Sequence, residues 1–444
     1  MSIPLQMAKK QDLENIGAVV PPRAEWAERL REEVRQRLDF SPALRIMLES
    51  CTKCGACAQA CHSYLGTGDV RNIPAVRAEL LRAYYEKNFT AAGRLSALLT
   101  GRSSLSDEEL ERWITYAYQC NMCRRCAYYC PLGIDTTEIT MAMRNILAKL
   151  GQVPRFIAGI AGNVLKTGNN TGITKPAMAD CCEFLAEELR EETGQDIKIP
   201  LDKPGAEILY IPSSTEFAHN TGTLLGAAKL FHALQLNWTI ATEITEAANY
   251  GMFIDLDLLK HHNKRMLDAV RQTGASLVVQ GECGHGWRVA KMFSEGANGA
   301  IPFRITHILE LAAQNLAQLP LQKVAMRAAY HDPCNYARAG DLAEAPRLIL
   351  QACVTEYREM SPNRELNYCC GGGSGLLMEE MLAIRMQLAQ KKAEQLRALG
   401  PLDALVAPCA SCKAQLPHVI RHYGLDIGKV TGLMEILGAA LTLA

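Results

Sequence analysis

Five cysteines near the C-terminus are spaced for metal chemistry. Cys334 closes the run His331-Asp332-Pro333-Cys334, Cys369-Cys370 is followed by Gly371-Gly372-Gly373, and Cys409-Ala410-Ser411-Cys412 completes the set. Adjacent cysteines do not easily reach the torsion that a disulfide between them needs. A structural zinc would take only four thiolates in tetrahedral array. Five soft donors arriving from three loops point instead to an iron-sulfur cluster. Buried structural thiols are the competing reading, but those have no reason to gather as a doublet and a C-x-x-C. Gly371, Gly372, Gly373 and Gly375 read as backbone that must approach the cluster closely. Neither G-x-G-x-x-G nor G-x-x-x-x-G-K-[ST] occurs, so a phosphate loop is a poor reading. A single helix is expected over 376–399, its positive end aimed from the glycine loop at an anionic cluster.

Two further motifs lie upstream. Cys51, Cys54, Cys57 and Cys61, and then Cys120, Cys123, Cys126 and Cys130 with Pro131 behind it, both follow C-x2-C-x2-C-x3-C, the run of two-cluster ferredoxins. Three closely spaced cysteines wrap one cubane while the fourth reaches the other. The expected sets are therefore Cys51, Cys54, Cys57 and Cys130 on one [4Fe-4S], and Cys120, Cys123, Cys126 and Cys61 on the other. His62 stands where the first motif would usually have proline and reads as a surface residue.

The Cys, Cys-Cys-Gly, Cys-x-x-Cys pattern resembles the CCG domain of heterodisulfide reductase catalytic subunits. That resemblance implies a noncubane [4Fe-4S] cluster that cleaves disulfides, with Cys334, Cys369, Cys370, Cys409 and Cys412 in the five ligand places. The roughly sixty residues between the two upstream motifs resemble the helical ferredoxin domains of succinate dehydrogenase and heterodisulfide reductase. Taken over residues 45 to 440, the chain resembles the HdrD-like family, nearest to its K-subunit type (DsrK) in DsrMKJOP membrane complexes. The family implies a heterodisulfide-reductase-like oxidoreductase with two cubane [4Fe-4S] clusters and one noncubane [4Fe-4S] cluster. It further implies a membrane haem b subunit (DsrM-like) leading to quinone, a sulfur-carrier protein (DsrC-like) offering a disulfide or trisulfide, and other complex subunits. Two rivals are the iron-sulfur subunit of a flavin-dependent glycolate or lactate dehydrogenase, and an electron-transfer subunit without a substrate site. A second complete five-cysteine set would favour the dehydrogenase, and the sequence has none.

The elements that must position these residues divide along the chain of 444 residues. The expected parts are an N-terminal helical segment (1–45), a helical twin-cluster domain (46–150), a linker (151–204), a degenerate CCG unit (205–320) and a complete one (321–444). Trp26, Leu30, Val34 and Leu38 form one apolar stripe of an amphipathic helix, read as core-facing. Helices are expected over 76–85, 107–118 and 136–150. Cys181-Cys182 reads as structural and as opening an acidic helix. Beyond 205, strand-like runs alternate with helices, an α/β arrangement with a largely parallel sheet.

That second half repeats itself. Ser214 precedes Asn249-Tyr250-Gly251 as Cys334 precedes Cys369-Cys370-Gly371, and Cys283-Gly284-His285-Gly286 falls where Cys409 to Cys412 would. Likewise 306–311 matches 431–436. The first copy keeps one thiol, so its default role is scaffold, with Cys283 and His285 the candidates for a catalytic part. Lys413, Trp287 and Arg288 are candidate substrate contacts by position.

Composition agrees. The 47 basic and 47 acidic residues cancel, which argues against nucleic acid or an anionic lipid surface. Seventeen cysteines in C-x-x-C groupings suit metal and a reducing compartment. The first ten residues lack an apolar stretch for a secretory signal, and no uninterrupted apolar run of about 18 residues could span a bilayer. The expectation is a cytoplasmic protein attached to the inner membrane through a partner subunit.

Overall fold

The computed structural model describes residues 5–100, 105–246 and 250–443. The chain forms two compact units. A helical unit takes Met1–Gly162, Met252–Asp255 and Gly371–Lys391, and an α/β unit takes Asn163–Gly251, Leu256–Cys370 and Lys392–Ala444. The segment after Cys370, expected as part of the last CCG unit, thus groups with the helices.

In the helical unit, Trp26–Phe40 buries Leu30, Val34 and Leu38, so the apolar stripe faces its own core. Asp107–Tyr118 begins at a reciprocal cap in which Ser106 and Glu109 satisfy each other's backbone amides. Thr136–Lys149 starts at Asp135, whose side chain accepts from the Thr137 amide, and is buried along most of its length. Pro74–Phe89 spans the expected 76–85 helix and extends it at both ends. The stretch expected as a linker is largely helical, with Arg155–Thr167 and Lys175–Thr193. Cys181 and Cys182 lie inside the latter helix and do not open it.

The α/β unit contains two four-stranded parallel sheets of one design. The first pairs β1 (Ile208–Ile211), β2 (Trp238–Ile240), β3 (Leu277–Gln280) and β4 (Arg304–His307) in the order β2-β1-β3-β4. The second pairs β5 (Val324–Tyr330), β6 (Val354–Arg358), β7 (Leu402–Val406) and β8 (Ile427–Thr431) in the order β6-β5-β7-β8. Every pairing is parallel. Thr306 and Thr431 sit at matching strand-to-helix junctions, which is why those stretches resemble each other. One apolar core joins the two sheets, and within it helices Thr221–Ala233 and Leu433–Ala440 cross at backbone contact. A Cβ at Gly226 would lie 1.9 Å from the Met434 carbonyl oxygen and one at Gly438 would lie 2.8 Å from Gly226 Cα, so neither position admits a side chain.

The single helix expected over 376–399 is not formed. A 3-10 turn, Glu379–Met381, precedes helices Leu382–Leu388 and Gln390–Arg397, so no helix starts at the glycine loop and the dipole argument lapses. Leu376, Met378 and Met381 are buried there, and that demand sets the path of this segment more than helix propensity does.

Candidate metal centre

Ligand sites in open parallel sheets lie beyond the carboxyl ends of the strands, and the five late cysteines follow that rule. β5 runs into His331-Asp332-Pro333, and Cys334 starts the short helix Cys334–Ala337. β7 leads to Cys409, the N-cap of helix Ala410–Tyr423, which carries Cys412. Cys369-Cys370 ends the loop that follows β6. All five are buried and none is in a disulfide. Cys412 Sγ lies 3.5 Å from Cys370 Sγ, and ligand atoms of His331, Cys370 and Cys412 lie within 4.8 Å of one another. Hydrogen bonds from Cys369 and Cys412 pull the Cys370 thiol well below its usual range. Cys409 is likewise pulled down, chiefly by a hydrogen bond from Cys412. Cys412, which gives its hydrogen to Cys370 and Cys409, is pushed well above the usual range, and this buried set of soft donors fits an iron-sulfur cluster.

The loops are fixed from behind. Asp332 accepts both terminal amines of Arg347 at 2.8 Å and the Arg364 amide at 2.8 Å, while Asn367 Nδ2 donates to the Asp332 carbonyl at 3.0 Å. Lys392 Nζ, fully buried, donates to Asn367 Oδ1 at 2.6 Å and also to Gln395, and burial pushes it down to about 7. His331 is buried with its ring beside the Cys370 thiol, and burial lowers its pKa. Sequence reasoning assigned no role to His331 or Lys392. The proximity of His331 to Cys334 was the available signal for the first, and nothing flagged the second.

The two upstream motifs share one backbone. Lys53 and Gly55 have φ of 57° and 82°, and Met122 and Arg124, at the same motif positions, have 50° and 63°. Left-handed residues at these positions curl each loop around its thiols. Cys51, Cys54, Cys57 and Cys130 line one cavity, the set expected for one cubane, with Cys126 and Thr136 also on its wall. Of the other set, Cys61, Cys120 and Cys126 are buried and Cys123 is half-buried. Asn121, next to Cys120, donates to the Gly371 carbonyl at 2.9 Å, and its own carbonyl accepts from Ser374 Oγ at 2.6 Å. His62 is buried, not surface, and its Nδ1 meets the Leu388 carbonyl at 2.9 Å.

In the first sheet the corresponding loops are closed by carboxylates. Glu246 Oε1 accepts from the Ser214 amide and hydroxyl, each at 2.6 Å, and from Ser213 Oγ at 3.1 Å. Cys283 caps helix Gly284–Met292, accepting from the Gly286 amide at 3.4 Å. A Cβ on Gly284 would fall 3.0 Å from Cys409 Sγ, so the Cys283 loop backs directly onto the five-cysteine site. Burial drives the Cys283 thiol well above its usual pKa, and His285 is also buried. Asn249 of the repeat lies outside the described residues. Trp287 is fully buried and donates to the Gly340 carbonyl at 3.0 Å, Arg288 is equally buried, and Lys413 pairs with Glu282 at 3.1 Å and with Thr223 at 2.7 Å. These three are interior supports, not groups facing an open surface.

No helix among the described residues is long and apolar enough to cross a membrane. Residues 47–134 match the family described as a 4Fe-4S dicluster domain, and 328–417 match the Cysteine-rich domain, CCG. The chain is 32% identical to the Hdr-like menaquinol oxidoreductase iron-sulfur subunit 2 of Archaeoglobus fulgidus, over 94% of this chain and 84% of that one. It is 26% identical to the D-type subunit of the dihydromethanophenazine:CoB--CoM heterodisulfide reductase of Methanosarcina acetivorans, over 90% of this chain and 96% of that one. With the geometry above, these likenesses mean that the chain belongs to the HdrD-like family of CCG-domain iron-sulfur oxidoreductases.

Proposed function

We propose that this protein is the catalytic iron-sulfur subunit of a membrane-linked complex and reduces, or forms, a disulfide-type bond at the five-cysteine site. The reaction is R–S–S–R′ + 2 e⁻ + 2 H⁺ ⇌ R–SH + R′–SH. Two cubanes, on Cys51, Cys54, Cys57 and Cys130 and on Cys61, Cys120, Cys123 and Cys126, would relay single electrons. A noncubane [4Fe-4S] on Cys334, Cys369, Cys370, Cys409 and Cys412 would supply the one-electron redox chemistry that lets a two-electron sulfur couple be served stepwise. The chain's own part is to orient the thiolates through Asp332 and Arg347, to exclude water by burial, and to hold protons nearby on Lys392.

The observation that carries this reading is the meeting of Cys370 and Cys412 at 3.5 Å, with Cys369 and Cys409 hydrogen-bonded to them and all five thiols buried beyond the strands of one sheet. The names of the relatives, a menaquinol oxidoreductase subunit and a heterodisulfide reductase subunit, support quinone as the far electron partner and a disulfide as the near one. The partners proposed are a haem b membrane subunit of DsrM type and a cytoplasmic sulfur-carrier protein of DsrC type with a disulfide or trisulfide.

The test is electron paramagnetic resonance of the anaerobically prepared holoprotein, oxidised in the presence of a small dithiol carrier protein. A new paramagnetic signal that appears only with the carrier's cysteines intact, and is lost in Cys370→Ser, is the expected result. Signals from cubanes alone, with or without carrier, would leave a pure electron-transfer subunit.

A further inference from the structure

A buried charge is normally matched by an opposite charge, because desolvation is otherwise uncompensated. Among the described residues of the helical unit, the buried guanidinium groups of Arg77 and Arg144 form no ion pair with a carboxylate. Arg77, on helix Pro74–Phe89, is 3% exposed. One terminal amine donates to Asn72 Oδ1 at 2.9 Å, and Nε has no partner among the described residues. Arg144 is fully buried, donates to the carbonyls of Ala117, Cys120 and Ser374, and stacks over Tyr118 at 4.6 Å. No carboxylate among the described residues forms an ion pair with either. The side chains beside Arg77 are instead thiols: Cys61 is hydrogen-bonded to it, and Cys61 Sγ also reaches the carbonyl of Asn72, the residue whose Oδ1 accepts from Arg77, at 3.5 Å.

The other cubane site is built differently. Cys54 is exposed to solvent, and the cation beside it in sequence, Lys53, is itself largely exposed and paired with Glu79 at 3.1 Å. Cluster potentials follow net charge, hydrogen bonds to sulfur and solvent exposure. A cubane on four thiolates is anionic and gains another negative charge on reduction, which a dry site resists and a fixed cation favours.

We propose that Arg77 is the counter-charge of the cubane on Cys61, Cys120, Cys123 and Cys126, holding its reduction potential up and apart from that of the more exposed cubane. Arg144 supports the same site through the Cys120 carbonyl. The inference rests on the partition of ligands between the two cubanes, not on the substrate or partners proposed above. Arg77 is a positioning residue, acting through the thiolates.

The experiment is a redox titration of the anaerobic holoprotein followed by electron paramagnetic resonance, comparing the parent with Arg77→Gln, Asn72→Asp and Arg77→Lys. Asn72→Asp leaves the guanidinium in place and puts a carboxylate where Asn72 Oδ1 already accepts from it. In both Arg77→Gln and Asn72→Asp, one cubane potential should fall by at least about 59 mV, a tenfold change in the reduced-to-oxidised ratio at fixed potential. The other potential should stay put, and Arg77→Lys should lie near the parent. Equal shifts of both cubanes, no shift in a charge-neutralised variant that retains its iron, or a shift in Arg77→Lys as large as in Arg77→Gln would overturn the inference. Should Arg77→Gln shed a cluster, Asn72→Asp decides, since it leaves the side-chain volume nearly unchanged.

Discussion

The two sheets of the α/β unit have the same strand order and parallel pairing, yet among the described residues only the second brings thiols together beyond its strands, Cys370 and Cys412 at 3.5 Å. In the first, the loop after β1 is closed by Ser213 and Ser214 on the buried carboxylate of Glu246. In the second, the loop after β5 is closed by Asp332 on Arg347, and Cys412 donates to Cys370 at 3.5 Å. A sheet of this design therefore folds without five thiols at its end. The thiols of the second half are explained by chemistry, and the first half is explained as the platform that backs them, with the Cys283 loop against Cys409 and Glu282 paired to Lys413.

The sharpest way to break this comparison is to remove a thiol from the complete half. Cys370→Ser should abolish disulfide reduction and lower iron from about twelve to about eight atoms per chain while the cubane signals persist. Iron retained at the parent level would erase the distinction between the sheets.

Next in size is the support behind the thiols. Asp332→Asn takes one of two carboxylates from the buried Arg347 and leaves Glu359 at 2.7 Å, so the loss should stay below the about 3–5 kcal/mol of breaking a buried pair outright. Thermal unfolding of the holoprotein should move down by several degrees at least. An unchanged midpoint would show that the Asp332 pair does not hold the loop.

The first half carries its own pH signature. Burial pushes Glu216 up to about 7, against about 4.3 in an unfolded chain. The folded state thus binds the extra proton, so this group's contribution is complete below about pH 4 and is lost as pH rises through about 7. Its size is on the order of 3 kcal/mol. Glu216→Gln should flatten the decline in denaturation midpoint between those limits. A variant that declines as steeply as the parent would remove Glu216 from the balance.

The smallest effect is expected at Cys283. Cys283→Ala should leave turnover within about twofold and cost about 1 kcal/mol of stability, as for a small buried group. Loss of turnover would make the remaining thiol of the first half a participant, as its place in the repeat suggests.

Much of this was legible from spacing. The cysteine motifs, the α/β alternation and the internal repeat all show in the sequence because metal ligands and strand periods leave local patterns. What escaped was set by tertiary packing. The helix expected from Leu376 is broken because Leu376, Met378 and Met381 must be buried. His62 reads as surface by its polarity, but its ring meets the Leu388 carbonyl, 326 residues away. Nothing in the sequence singles out Arg77 or Lys392, and only the folded chain places them in the interior.

The most direct test of the central claim is metal analysis of anaerobically prepared protein combined with alkylation of its folded form. Three clusters would give about twelve irons per chain, with Cys334, Cys369, Cys370, Cys409 and Cys412 all protected from iodoacetamide. About eight irons, with those five thiols open to alkylation, would contradict it.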